Sequence, residues 1–127
     1  MSGIVGVVNF EKEVEAETWR VKLKKLLNDL GEDFSTMGYG VMCDIIEFVE
    51  QNPKYKEHFL VKELYAPVIS KTGRTYCQIE RNIRAMIERV YNNNSVERVH
   101  SVLGISEESY EKMANAKFIA LVIDRVL

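Results

Sequence analysis

A chain of 127 residues with 46% hydrophobic and 28% charged residues has the size and composition of one globular domain. This balance excludes a disordered chain, and no stretch approaches the roughly 18 consecutive apolar residues of a membrane span. The net charge of -2 excludes a uniformly basic nucleic-acid binder, but the charge is uneven. Residues 54–91 contain eight Lys and Arg against four Glu, a net +4, whereas the remainder sums to -6.

Cysteine and histidine usage predicts a cytoplasmic protein without a metal. Cys43 and Cys77 are too few for a disulfide framework, and neither they nor His58 and His100 have zinc-ligand spacing. The amino terminus lacks the basic flank of a signal peptide. No Gly-rich phosphate loop, H-E-x-x-H or G-x-S-x-G is present, so the sequence predicts no enzyme and no cofactor.

Residues 1–16 are interpreted as an amino-terminal arm or a cloning remnant, followed by a helical domain over 17–127. The apolar residues between 2 and 10 are compatible with a short strand or with an arm that packs on a second copy of the chain. The sequence leaves these alternatives, including a homodimer, open.

Apolar residues at helical spacing predict an all-α fold of about six helices. The predicted ranges are 17–30, 39–51, 59–71, 76–91, 95–103 and 115–127. The second helix is apolar on most faces and should be the most buried. Pro67 should kink the third helix or mark a new first turn. An acidic stretch over 106–113 could add a helical turn.

The third and fourth helices are separated by a very short turn, which predicts a helix-turn-helix over about 59–91. Gly73 can adopt the positive φ that such a turn requires. Thr75 and Gln78 have the spacing of a capping box at the start of the fourth helix. That helix has the clearest apolar stripe in the chain: Ile79, Ile83, Met86, Ile87 and Val90.

The exposed face of the fourth helix is expected to centre near Arg81, opposite the stripe. In the major groove, Arg can bind guanine, Gln can pair with adenine, and Glu can accept from cytosine, so this face suits base reading. At the turn, four residues are placed to contact phosphates: Lys71, Arg74, Thr75 and Tyr76. The alternative is a helical bundle whose charged face is solvated and salt-bridged.

Residues 64–91 resemble the carboxy-terminal effector domain of the stage zero sporulation protein A family of response regulators. The most specific match is Ile79-Glu80-Arg81-x-Ile83-Arg84-x-x-Ile87-Glu88, within the family's recognition helix. Further matches are Gly38-Tyr39, Leu64-Tyr65, Lys71, Thr75 and Phe118-Ile119-Ala120. The likeness covers roughly residues 19–127.

The resemblance implies a sequence-specific transcription regulator of sporulation that binds double-stranded DNA at a short, TGTCGAA-like box. It implies that Glu80 and Arg81 read bases and that Arg84 holds a phosphate. Gln78 stands where the family has a base-reading Arg, so it is also a predicted base reader. The loop after the recognition helix would contact RNA polymerase sigma factor through Asn93, Asn94 and Val96.

Two departures from the family motivate a second hypothesis. Besides Gln78, Ala85 replaces a phosphate-binding His, so the chain could be a protein-interaction module that no longer binds DNA. Such a module would act as an antagonist of a full-length regulator or as an adaptor on sigma factor. The family's receiver domain does not fit before Trp19, so we expect an excised domain or, slightly favoured, a stand-alone relative.

Overall fold

The computed structural model describes residues 18–106 and 111–127, and within these ranges it contains seven helices and no strand. The helices are α1 Thr18–Asp29, α2 Met37–Gln51, α3 Lys54–Glu57, α4 Val61–Thr72, α5 Tyr76–Asn93, α6 Val96–Leu103 and α7 Asn115–Val126. The all-α prediction is confirmed, with the short α3 added. The predicted arm over 1–16, with its strand or dimer contact, lies outside the described residues. So does half of the acidic stretch over 106–113, whose described residues are not helical.

Hydroxyl side chains define where helices begin. Thr36 Oγ1 accepts a hydrogen bond from the Tyr39 N–H at 3.3 Å, so α2 starts two residues before its predicted start at residue 39. Ser95 Oγ accepts from the Arg98 N–H at 3.1 Å and caps α6. The predicted boundaries are therefore displaced by only one or two residues, as the local caps dictate.

Helix α4 continues through Pro67 without interruption, so the prediction that Pro67 could mark a new first turn is wrong. The ring removes one backbone donor from the helix but does not end it here. At the start of α4, the Leu60 N–H donates to Glu63 Oε1 at 2.8 Å. This contact begins the helix at Val61, two residues later than predicted.

The apolar stripe of α5 forms the centre of the core, and all five of its predicted residues are fully buried. Helix α5 packs against α2, α4, α6 and α7, while α1 packs against α7. The crossing of α2 and α5 is close because Gly38 has no side chain. A Cβ atom at Gly38 would lie 2.9 Å from the carbonyl oxygen of Asn82 and 3.1 Å from Met86 Cβ.

A buried ion pair joins the α1–α2 loop to the later part of α5. The Glu32 side chain is fully buried, and Arg89 Nη2 and Nε donate to its Oε1 at 2.7 and 2.9 Å. Thr36 Oγ1 also donates to Glu32 Oε1, at 3.2 Å. These bonds compensate the carboxylate for its loss of water.

No helix in the described ranges combines the length and the apolar character needed to cross a bilayer.

Candidate nucleic-acid interface

A three-residue turn joins α4 to α5, as the sequence predicts. Gly73 has φ 74°, and Thr75 and Gln78 form the predicted capping box. Thr75 Oγ1 accepts from the Gln78 N–H at 3.2 Å, and the Thr75 N–H donates to Gln78 Oε1 at 2.9 Å. The rings of Tyr65 and Tyr76 meet edge to face at 5.1 Å, so α4 braces the start of α5.

The amino-terminal half of α5 presents its exposed face as the helical pattern predicts. Cys77, Gln78, Arg81 and Ala85 are all exposed. Within the described residues, Arg81 makes no hydrogen bond or ion pair. Its guanidinium is therefore available to a molecule outside the chain.

A groove of about 240 Å³ connects this face to the turn and to the start of α2. It is lined by Met37, Arg74, Gln78, Arg81 and Asn82. Arg74 Nη2 donates to the sulfur of Met37 at 3.1 Å, a weak acceptor. No described residue gives the Arg74 side chain a stronger partner. Arg74 and Arg81 therefore both offer a positive charge to the groove that they line.

Glu80 lies at the edge of the exposed face and is half-buried. Asn115, the first residue of α7, donates from Nδ2 to Glu80 Oε2 at 2.6 Å and to the Glu80 carbonyl at 3.1 Å. A second groove of about 570 Å³ has Glu80, Arg81, Arg84 and Asn115 in its wall. Glu80 thus reaches the surface beside Arg81, but with one of its carboxylate oxygens already occupied.

Arg84, the phosphate contact implied by the resemblance, is bonded within the chain. Its Nη1 donates to the Met113 carbonyl at 3.0 Å, and its Nη2 lies 3.1 Å from Glu88 Oε1. Lys112 Nζ donates to the other Glu88 oxygen at 2.6 Å. Arg84 therefore helps to hold the segment before α7 against α5.

Lys71 likewise has acidic partners on α2. Its ammonium donates to Asp44 Oδ1 at 2.8 Å and lies 3.8 Å from Glu47 Oε2. The hydrogen bond to Asp44 raises the pKa of Lys71 above its usual value. A phosphate would have to compete with these two carboxylates for the same ammonium.

The three residues predicted to contact sigma factor lie between the end of α5 and the start of α6, next to the end of α1. Asn94 Nδ2 donates to the Leu30 and Val90 carbonyls at 2.8 and 2.9 Å. Asn93 is exposed and donates to the Gly31 carbonyl at 3.3 Å, and Val96 packs partly into the core. Asn93 is the most accessible of the three predicted residues.

Two residues at the site were not identified from the sequence. The first is Thr36, which caps α2 beside the groove. A threonine just before an apolar run is a known helix-start signal, so this cap could have been predicted from the sequence. Asn115 lies 35 residues from Glu80 in the chain, and no local pattern links the two. In the described ranges, no group of three or more His, Cys, Asp and Glu side chains could hold a metal ion.

Two helices joined by a three-residue turn, with the second helix exposing Gln78 and Arg81 at its start, define a helix-turn-helix domain. The family model described as "Sporulation initiation factor Spo0A C terminal" matches residues 23–126, and the chain belongs to this family. The family is a DNA-binding, regulatory effector domain rather than an enzyme. No solved structure was found to match the chain.

Proposed function

We propose that this chain is a sequence-specific transcription regulator that acts in the cytoplasm and lays the amino-terminal half of α5 in the major groove. The observation that supports this most is the state of Arg81. It is exposed at the centre of the polar face and has no partner within the described residues, so it can bind guanine O6 and N7. Arg74, on the same groove, adds a second positive charge.

The capping box restricts what Gln78 can read. Its Oε1 accepts from the Thr75 N–H, which leaves the Nε2 hydrogens as its outward-facing group. Pairing with adenine uses both ends of the amide, whereas guanine O6 or N7 and thymine O4 need only a donor. We therefore propose that Gln78 donates to one of these acceptors, as the Arg expected from the resemblance would do.

Phosphate contacts are proposed at the turn, from Arg74, Thr75 and Tyr76. These three residues stand at the amino-terminal end of α5, where the helix dipole also favours an anion. Lys71 and Arg84 would contribute only by exchanging their partners within the chain for phosphate oxygens. The proposed target is a TGTCGAA-like box. The proposed protein contact is RNA polymerase sigma factor, at Asn93, Asn94 and Val96.

The function is tested by a gel-shift titration of the full chain on a duplex with a sporulation-type box. The affinity should fall steeply with salt, because phosphate binding releases counterions. Arg81→Ala should weaken binding to the box about tenfold to a hundredfold, the range of one lost bidentate base contact. Binding to a scrambled duplex should fall much less.

Arg125→Ala is the matched control, because it removes the same charge from the exposed far end of α7. It should leave the affinity for the box almost unchanged. Equal binding by the wild type and by Arg81→Ala would overturn the role of Arg81. Absence of any shift at low salt would overturn DNA binding itself.

A second candidate function is a protein-interaction module that lacks DNA reading. The internal bonds of Lys71 and Arg84 favour it, because two predicted phosphate contacts are already used within the fold. This function predicts no shift at moderate salt, together with co-purification of a full-length sporulation regulator or a polymerase sigma factor. Specific binding to the box without such a partner would contradict it.

A further inference from the structure

The contact between Asn115 and Glu80 joins the last helix to a proposed base-reading side chain. Asn115 is only 9% exposed, and both of its donor bonds go to the same residue. The bond at 2.6 Å has a charged acceptor, and such bonds are shorter and stronger than neutral ones. Holding both the backbone and the carboxylate of Glu80 restricts the directions in which this side chain can point.

The two oxygens of the Glu80 carboxylate therefore differ. Oε2 accepts from Asn115, whereas Oε1 accepts no hydrogen bond from any described residue. Glu80 also lines the groove that contains Arg81, so its carboxylate borders the proposed DNA face. A carboxylate can only accept, and in the major groove it pairs with the amino group of cytosine or adenine.

The other neighbour of this contact is Tyr65, which is fully buried and whose hydroxyl has no partner within 3.5 Å among the described residues. Burial, followed by the nearby Glu80 carboxylate, raises the pKa of Tyr65. The phenol thus remains neutral behind Glu80, and Tyr76 packs against its ring at 5.1 Å. On its inner side, Glu80 therefore faces a neutral phenol rather than a second charge.

We propose that Asn115 is a positioning residue that determines which amino-bearing base Glu80 accepts from. This inference rests on the proposed DNA-reading function. A Glu80 side chain fixed by Asn115 presents one oxygen to one base pair. A released side chain can reach neighbouring positions and therefore discriminates less between sequences.

The experiment begins with selection of binding sites from random DNA by the wild-type chain and by Glu80→Ala. This comparison identifies the base pair whose preference depends on Glu80. The affinities of the wild type, Asn115→Ala and the double variant Glu80→Ala/Asn115→Ala are then measured on duplexes that differ at that pair. Asn115→Ala should reduce the preference about tenfold, and it should leave the preference at the pair read by Arg81 unchanged.

The double variant distinguishes positioning from a purely structural role. If Asn115 acts through Glu80, Asn115→Ala should not change base preference any further when Glu80 is already Ala. Ile123→Val is the matched control, because it removes one methylene from a buried residue of the same helix. It should lower stability and keep the full preference.

Equal weakening of binding to all duplexes by Asn115→Ala would overturn the proposal, as would an unchanged preference. If Asn115→Ala does not fold, Asn115→Ser gives the same comparison with a smaller loss of volume and polarity. If the wild type selects no sequence, the proposed DNA-reading function fails. If the wild type selects a sequence and Asn115→Ala keeps the same preference, only the role of Asn115 fails.

Discussion

The two ends of helix α5 use their charged side chains differently. At the amino-terminal end, Arg81 is exposed and makes no bond within the described residues. At the carboxy-terminal end, Arg89 forms a bidentate pair with the buried Glu32, and Asn94 donates to two backbone carbonyls. The two arginines are only two turns apart on one helix, yet their surroundings differ completely.

This difference separates the proposed DNA-reading end of α5 from the end that attaches the helix to the rest of the fold. The close crossing of α2 at Gly38 lies opposite Asn82, near the boundary between the two ends. Beyond that boundary, the helix is held by the α1–α2 loop and by the segment before α7. Mutations at the first end should therefore alter binding, and mutations at the second end should alter the free energy of unfolding.

The largest expected effect is on stability and comes from Arg89→Met. The substitution leaves the Glu32 carboxylate buried without its cation, which should lower the free energy of unfolding by about 3 kcal/mol. Urea denaturation measures this loss. The value is set at the low end of the range for buried pairs because the Arg89 side chain is 38% exposed.

Arg81→Met is the control for Arg89→Met, because it makes the same change at the exposed end of the same helix. It should change stability by less than about 0.5 kcal/mol. The double variant Glu32→Gln/Arg89→Met should regain part of the loss, since the buried group is then neutral. Equal losses in Arg81→Met and Arg89→Met would remove the distinction between the two ends.

An intermediate effect is expected at the crossing of α2 and α5. The Cβ of Gly38→Ala would lie 2.9 Å from a backbone oxygen, so a net loss of about 1–2 kcal/mol is expected. Gly40→Ala, in the same helix, meets nothing within 4 Å and should instead gain up to about 1 kcal/mol through helix propensity. Thermal denaturation of both variants tests the crossing, and a Gly38→Ala variant as stable as Gly40→Ala would contradict it.

The smallest effect concerns acid stability. The hydrogen bond from Lys112 holds the pKa of Glu88 below its usual value of 4.5. A lowered pKa in the folded state stabilises the fold above pH 4.5, and this contribution is lost as the pH falls through the folded pKa. The difference in Tm between the wild type and Glu88→Gln should therefore shrink on acidification.

Glu50→Gln serves as the reference for this titration, because Glu50 is exposed and has no partner within the described residues. The Glu50→Gln difference measures the general effect of removing one surface carboxylate, and it is subtracted from the Glu88→Gln difference. A Glu88→Gln difference that is constant from about pH 6 to about pH 3 would show that the Lys112 contact does not contribute.

Periodicity and caps predicted the fold well, because both are local properties of the chain. The stripe from Ile79 to Val90 and the Thr75–Gln78 capping box are present as predicted. The short helix α3 was not predicted, because four residues contain no repeat of an apolar period. The positions of helix ends also differ slightly, since side chains such as Thr36 and Glu63 decide them.

The exposed face was predictable from helical geometry, but the partners of its charged residues were not. A helical wheel places Arg81 and Gln78 outside, and both are exposed. It does not reveal that Asn115 binds Glu80 or that Lys71 pairs with Asp44, because these contacts span 35 and 27 residues. The predicted roles of these residues in reading bases and holding phosphates remain proposals.

Side chains from much later in the sequence bind the backbone carbonyls at the end of α1, and this has a consequence for folding during synthesis on the ribosome. The carbonyl of Asp29, the last residue of α1, accepts from Arg98, which follows 69 residues later. The carbonyl of the next residue, Leu30, accepts from Asn94, 64 residues later. A nascent chain that has not yet emerged beyond Arg98 has only water to satisfy these groups. Because α1 also packs on α7, this early helix is completed only by segments that are synthesised much later. The domain should therefore reach its final order only after α7 is available to pack on α1.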